Sequence, residues 1–108
     1  MISGYRAMWL LVMFDLPVKK KVERRAATQF RKQLLKDGFN MVQFSIYSRP
    51  CPSEENAEVH CIRVRGLLPN KGQVRILKFT DKQYARMECF QGPIPAEFEK
   101  MPSQTELF

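Results

Sequence analysis

Seven consecutive apolar residues, Met8 to Phe14, run without interruption and stop at a carboxylate, Asp15. An apolar run with no alternation is a strand buried on both faces, so it belongs inside a sheet with Asp15 at its exposed end. Leu16-Pro17 and the lysines Lys19, Lys20 and Lys21 follow at once. The corner thus combines an oxygen ligand for a hard cation with positive charge suited to phosphate, which makes nucleic acid the first partner to consider.

The charge distribution points the same way. With 108 residues the chain is one domain with a modest core, which a partner subunit would help to complete. Its net charge is +7, from 18 basic and 11 acidic side chains. Residues 16–38 hold eight Lys or Arg against Glu23 and Asp37, and so supply +6 of the +7. The last seventeen residues carry Glu97, Glu99 and Glu106 against Lys100, a balance of −2. A cationic block on one segment makes a local field that attracts polyanions; a plain solvated helix face is the alternative.

Cys51, Cys61 and Cys89 are odd in number, widely spaced and free of any C-x-x-C pair, and His60 is the only histidine. This argues against a disulfide framework, a zinc site and cysteine–histidine catalysis, and places the protein in the cytoplasm. The N-terminal apolar stretch is too short for a membrane span, which needs about 20 residues, and it lacks the small residues of a signal-peptide cleavage site. No membrane association is expected.

Residues 8–15 form the first strand. Val22, Ala26, Phe30 and Leu34 recur every four residues, with Ala27 beside them, and predict an amphipathic helix from Lys19 to Asp37 capped by Gly38. Phe39 to Tyr47 alternates as one strand, with Val42, Phe44 and Ile46 on one face, and Arg49-Pro50-Cys51-Pro52 ends it. Ser53 suits an N-cap, and Ala57, Cys61, Val64 and Leu68 keep helical spacing after it. Two short strands, Val74 to Thr80 and Met87 to Gln91, complete a β-α-β-α-β-β order, joined by a segment too short for a full helix.

This inventory suits a ferredoxin-like α+β sandwich with both helices on one face of the sheet. The domain covers residues 1–91, and an extended tail covers 92–108. In the first strand Met8, Leu10, Val12 and Phe14 point one way and Trp9, Leu11 and Met13 the other. Two helices cover only one of these sets, so the other predicts a homodimer interface. One carboxylate makes a weak Mg²⁺ site. A two-fold axis joining two strand ends would let both Asp15 side chains share a cation whose bound water attacks a phosphodiester. Alternatively, Asp15 caps the following helix or serves the turn before Pro17.

Met13-Phe14-Asp15-Leu16-Pro17, the basic helix after it and Gln43-Phe44-Ser45-Ile46-Tyr47, in that order and spacing, resemble CRISPR-associated protein two. The resemblance spans residues 7–92, and Gly92-Pro93-Ile94-Pro95 is similar to the version found with type II systems. It implies a ferredoxin-like homodimer that bridges integrase dimers along double-stranded DNA during spacer acquisition. It also implies Mg²⁺-dependent endonuclease action on RNA or DNA. By match, Asp15 falls on the family's metal-binding and catalytic aspartate and Phe14 on the aromatic before it. Lys20 and Arg24 fall near its basic positions, and Tyr47 near the aromatic ending strand two. The chain departs at Asn40-Met41, where some relatives carry arginine.

Binding is better supported by the residues than cutting. Lys19, Lys20, Lys21, Arg24, Arg25, Arg31 and Lys32 on helix one, with Arg49 at the end of strand two, are the expected phosphate contacts; Arg63, Arg65, Arg75 and Lys78 are weaker candidates. Trp9, Leu11, Met13, Tyr47, Ile94 and Phe98 are the expected dimer or partner contacts. The tail, with Ile94, Phe98, Met101, Leu107 and Phe108 spaced among prolines, is expected to dock on the partner subunit or the integrase. Two other classes share the element order. A single-stranded RNA-binding module of the RNA-recognition-motif type would need glycine and aromatics that Gln73 to Phe79 lacks. A small-ligand regulatory dimer would need an effector loop that the chain does not show.

Overall fold

A computed structural model describes residues 6–102. Strand β1 (Met8–Asp15) lies between β3 (Ile46–Cys51) and β4 (Gln73–Thr80), antiparallel to both, and β2 (Asn40–Gln43) completes the order β2-β3-β1-β4. An interior position explains the unbroken apolar run, because Met8 to Met13 each have a strand on either side. Helices α1 (Lys21–Lys36) and α2 (Glu54–Arg65) cover one face. Met8, Leu10, Val12 and Phe14 meet Phe30, Leu34, Ala57 and Val64 there in a single core cluster. The fold is ferredoxin-like, as expected.

The order of elements differs from expectation at two places: the second strand divides, and the expected last strand, Met87 to Gln91, shrinks to Phe90–Gln91 outside the main sheet. Residues 39–47 are not one strand: the chain reverses at Phe44-Ser45, so β2 and β3 form a hairpin and the order becomes β-α-β-β-α-β. The two-residue turn pairs Gln43 with Ile46 and so shifts the alternation by one, and the bulge between Met41 and Gln43 shifts it back; Met41 and Tyr47 therefore share a face as they would in one strand, and periodicity conceals the reversal. Ser45 takes φ 64°, and neither turn residue is one of the usual Gly, Asn or Asp signals. Arg49-Pro50-Cys51 is the far half of β3 and does not end it. Pairing with β2 stops at Ser48, so Pro50 sits where the outer edge is free and a missing N–H is tolerated.

Helix α1 buries Ala27, Phe30 and Leu34 and leaves Val22 exposed. Spacing of four advances roughly 40° per step beyond a full turn, so Val22 lies about 120° around the helix from Leu34. The helix ends in a Schellman arrangement: Gly38, at φ +88°, donates to Leu35 O at 3.1 Å and Phe39 donates to Leu34 O at 3.0 Å. The adjoining Asp37 carboxylate accepts from Arg63 Nη1 at 2.9 Å and lies 2.7 Å from His60 Nδ1, fastening α1 to α2. Ser53 caps α2 as expected, its hydroxyl accepting from the Asn56 N–H at 3.1 Å. Leu68 lies beyond the helix and is exposed, while Leu67 packs on the core.

Beyond β4 a short helix, α3 (Asp81–Ala85), is set by a capping box between Thr80 and Gln83. Strands β5 (Phe90–Gln91) and β6 (Ile94–Pro95) then pair as a separate hairpin around Gly92. The expected boundary between residues 91 and 92 therefore falls inside a hairpin. Leu107 and Phe108 lie outside the described residues. Among the described residues, no helix is long and apolar enough to cross a membrane.

Candidate functional site

Asp15 ends β1 opposite Gln73 of β4, and it is exposed. Strand alternation puts it on the face away from the helices, with Met13 and Leu11, while Phe14 points into the core. Phe14 is held by Phe30 edge-on at 5.2 Å, by Tyr47 at 5.7 Å, and by the Arg31 guanidinium 5.8 Å above its ring. The carboxylate is thus carried by a rigid element. Gly72, at φ +94°, lies against the same corner: a Cβ there would meet Asp15 O at 2.6 Å and Leu16 Cα at 3.0 Å. Only glycine lets the turn before β4 approach this closely.

A cavity of about 390 Å³ opens at this end of the sheet, lined by Asp15 with Phe44, Ser45, Ile46, Gln73 and Arg75 among others. The charged neighbour that shares this cavity is Arg75, not the lysines that follow Asp15 in sequence. Lys19, Lys20 and Lys21 lie at the entry to α1, in the helix layer, and are exposed. Arg24 bends back onto that entry, donating to the carbonyls of Val18 at 3.1 Å and Lys19 at 2.8 Å, so it clamps the loop. Arg25 and Lys32 are exposed on α1, and Arg31 is drawn toward Phe14.

Arg49 does not join this group. It pairs with Leu10 on the helix side of the sheet, five residues from Asp15 along β1, or about 17 Å. Its Nη1 donates to Pro50 O at 3.3 Å, its Nε is buried without a partner, and its guanidinium lies against Gly38. Arg49 does not stand at the strand's end as expected, because β3 runs on through Cys51.

Three expected interface residues are used within the chain itself. Tyr47 is a core residue stacked on Phe14. Trp9 is 2 % exposed because α3 covers it: Tyr84 stacks on the indole at 4.1 Å, and the indole N–H donates to Asp81 Oδ1 at 2.8 Å. Phe98 meets Tyr84 edge-on at 6.2 Å, and the Tyr84 hydroxyl donates to Glu99 at 2.8 Å. Burial, followed by that bond, pushes the Tyr84 phenol up to about 12. Leu11 and Met13 stay half-buried, and Leu77 and Ile94 exposed.

Burial also pushes the Cys51 thiol up to about 11, in spite of Arg49, and raises Cys61. Both sit in the core as protonated thiols. Among the described residues no group of three or more His, Cys, Asp or Glu could hold a metal. Phe44, Gln73 and the nearness of Arg75 were not legible as site features, because the hairpin reversal and the β1–β4 register create them.

Fold and site together define a class: a ferredoxin-like α+β domain with a cationic helix in one layer and a lone carboxylate ending the central apolar strand. Comparison with known proteins narrows the class. Residues 8–87 match the family model described as CRISPR associated protein Cas2. The chain belongs to that family, as its Met13–Pro17 and Gln43–Tyr47 segments suggested. A protein named CRISPR-associated endoribonuclease Cas2 from Flavobacterium psychrophilum is 51% identical over 107 residues, covering 99% of this chain and 93% of its own. A relative of the same name from Paracidovorax avenae is 50% identical over 108 residues, with both chains covered fully. One from Ligilactobacillus salivarius is 42% identical over 85 residues, 79% of this chain and 84% of its own.

Proposed function

We propose that this chain is the dimeric, DNA-binding scaffold subunit of CRISPR spacer acquisition, holding duplex DNA for the integrase in the cytoplasm, with metal-dependent phosphodiester hydrolysis at Asp15 as an accessory activity. The observation that carries the reading is the exposed cationic surface of α1 and its entry loop. Lys21, Arg25 and Lys32 face solvent from α1, and Lys19 and Lys20 from the loop that leads into it. Cations held in a fixed row neutralise successive phosphates without reading base sequence, as a scaffold requires. The dimer would close the apolar strip of Leu11, Met13 and Leu77 on the open sheet face. The exposed β5–β6 hairpin and the tail are the surfaces offered to the partner subunit or the integrase.

The oxygen-bearing residues lining the cavity, Asp15, Ser45 and Gln73, are of the kind Mg²⁺ takes, and a second copy of the chain would add a second carboxylate. Mg²⁺ bound there would supply an activated water; the relatives' name, endoribonuclease, agrees with such chemistry. Arg75 offers positive charge to the phosphate under attack. The sheet face is aliphatic at Leu11, Met13, Ile46 and Leu77, which does not suit a module that stacks bases across its central strands. Titrating a labelled duplex at several salt concentrations tests the scaffold role: sequence-independent retention with a steep salt dependence is expected, and indifference to duplex and heparin alike would refute it.

A further inference from the structure

Val22 keeps the four-residue spacing of the stripe that α1 buries, yet it is 68 % exposed. It borders a groove of about 200 Å³ that Leu16 and Pro69 also line, together with Lys20 and Lys71. Small-ligand sites mostly run from roughly 300 to 1,000 Å³, so this smaller groove suits one inserted side chain better than a free ligand. Lys20 and Lys71 are exposed and have no ion-pair partner among the described residues. The Glu23 carboxylate, also in the groove, is engaged by the backbone N–H of Lys20 at 2.9 Å. The fitting occupant is an apolar side chain with a carboxylate next to it.

The chain carries such a segment beyond the described residues, Glu106-Leu107-Phe108. Its point of departure is fixed, because Phe98 packs on Tyr84 and Glu99 accepts from the Tyr84 hydroxyl at 2.8 Å. Tyr84 stacks on Trp9, seven residues before Leu16, or about 23 Å along the strand. The nine residues from Phe98 to Leu107 extend to about 30 Å, enough to pass around β4 at the sheet's edge. From Ala7 back to Ile2 the chain extends only about 17 Å, so the residues before β1 fall short of Leu16.

We propose that Leu107-Phe108 seat in this groove of the same chain, with Glu106 beside Lys20 and Lys71, and that the contact competes with duplex for the entry to α1. The competition rests on the duplex reading above; the contact itself does not. Withdrawing an aromatic and an aliphatic side chain from water supplies the attraction. The carboxylate then takes up positive charge that phosphates would otherwise neutralise, and residues 92–108, at −2, carry the same sign as a nucleic-acid backbone. A partner that draws the tail away opens the seat, so tail capture and duplex binding reinforce each other.

The test uses the 108-residue chain with the photo-cross-linker p-benzoylphenylalanine in place of Phe108, irradiated alone and with excess duplex. Alone, it should cross-link within one chain to residues 16–27 or 69–71, read by peptide mass, and duplex should suppress the product. Cross-links that join two chains or fall elsewhere overturn the assignment. Leu107→Ser combined with Phe108→Ser leaves every charge in place, so a gain in affinity cannot come from lost repulsion. That variant should bind duplex about fivefold more tightly than wild type, because its seat is no longer partly closed. An unchanged affinity overturns the competition. Wild-type protein that binds no duplex refutes the duplex reading and the competition with it, while the cross-link alone decides the contact.

Discussion

The two faces of the sheet carry opposite kinds of surface. On the helix side α1 spreads its cations over solvent above a closed apolar core, and no carboxylate at the sheet's end interrupts them. On the open side the Asp15 cavity holds one carboxylate, one guanidinium and one bare aromatic, beside the aliphatic strip of Leu11, Met13 and Leu77. The first repeats one charge over an open surface, and the second brings a few groups of mixed character together at one point. The difference teaches that nearness in sequence misleads: Lys19 to Lys21 follow Asp15 directly, yet the strand's alternation sends the carboxylate away from the layer that those lysines join.

The sharpest way to break this separation is at Asp15. Asp15→Ala should remove any Mg²⁺-dependent hydrolysis of RNA or DNA by more than about 100-fold, beyond the 10–100-fold expected from residues that merely support a metal ligand. Duplex affinity in the same variant should stay at the wild-type value. Equal hydrolysis by both proteins would mean that the strand end is not a catalytic site.

Next in size is the cationic face. Lys20→Ala, Lys21→Ala and Arg25→Ala combined should weaken duplex binding and reduce the salt slope by about 2.7, three contacts at ~0.9 each. Arg24 is better tested alone. Because it clamps the carbonyls of Val18 and Lys19, Arg24→Ala should loosen the loop, seen as faster amide exchange there, on top of any lost charge. An unaltered salt slope in the triple variant would remove α1 from the duplex surface.

Gly72→Ala probes how the strand end is supported. A Cβ 2.6 Å from Asp15 O, at φ +94°, should cost about 1–3 kcal/mol in denaturant unfolding and displace Asp15, lowering hydrolysis while duplex binding persists. The smallest effect should come from the far end of the open face. Tyr84 titrates higher folded, at about 12, than its ordinary value of 10. Its contribution to stability is therefore fully present below about pH 10 and lost as pH rises through 12. Trp9 is the only tryptophan, so its fluorescence reports the loosening of α3 directly. Tyr84→Phe should keep the stack and lack that pH step.

Much of the fold was legible because its signals are local. The apolar run of β1, the Ser53 cap and Gly38 closing α1 each depend on residues a few positions apart. The hairpin at Phe44-Ser45 was not legible, since the bulge between Met41 and Gln43 cancels the one-residue shift of alternation that a two-residue turn brings, and the turn lacks glycine, asparagine or proline. Trp9 was misjudged as a free interface residue for a related reason. Its cover, Tyr84, comes from a five-residue helix more than seventy positions away, and no periodicity reports such a contact.

The sequence by itself determined a two-layer α+β domain, a cationic first helix and a carboxylate ending the central strand, because capping, alternation and charge clustering act over one or two turns of chain. Tertiary structure alone decided which groups share the Asp15 cavity. Gln73 and Arg75 arrive through the antiparallel register of β4, and Phe44 through the reversal before β3. Register is a property of paired strands, set by packing between distant segments, so one strand's residues cannot announce what will stand opposite them.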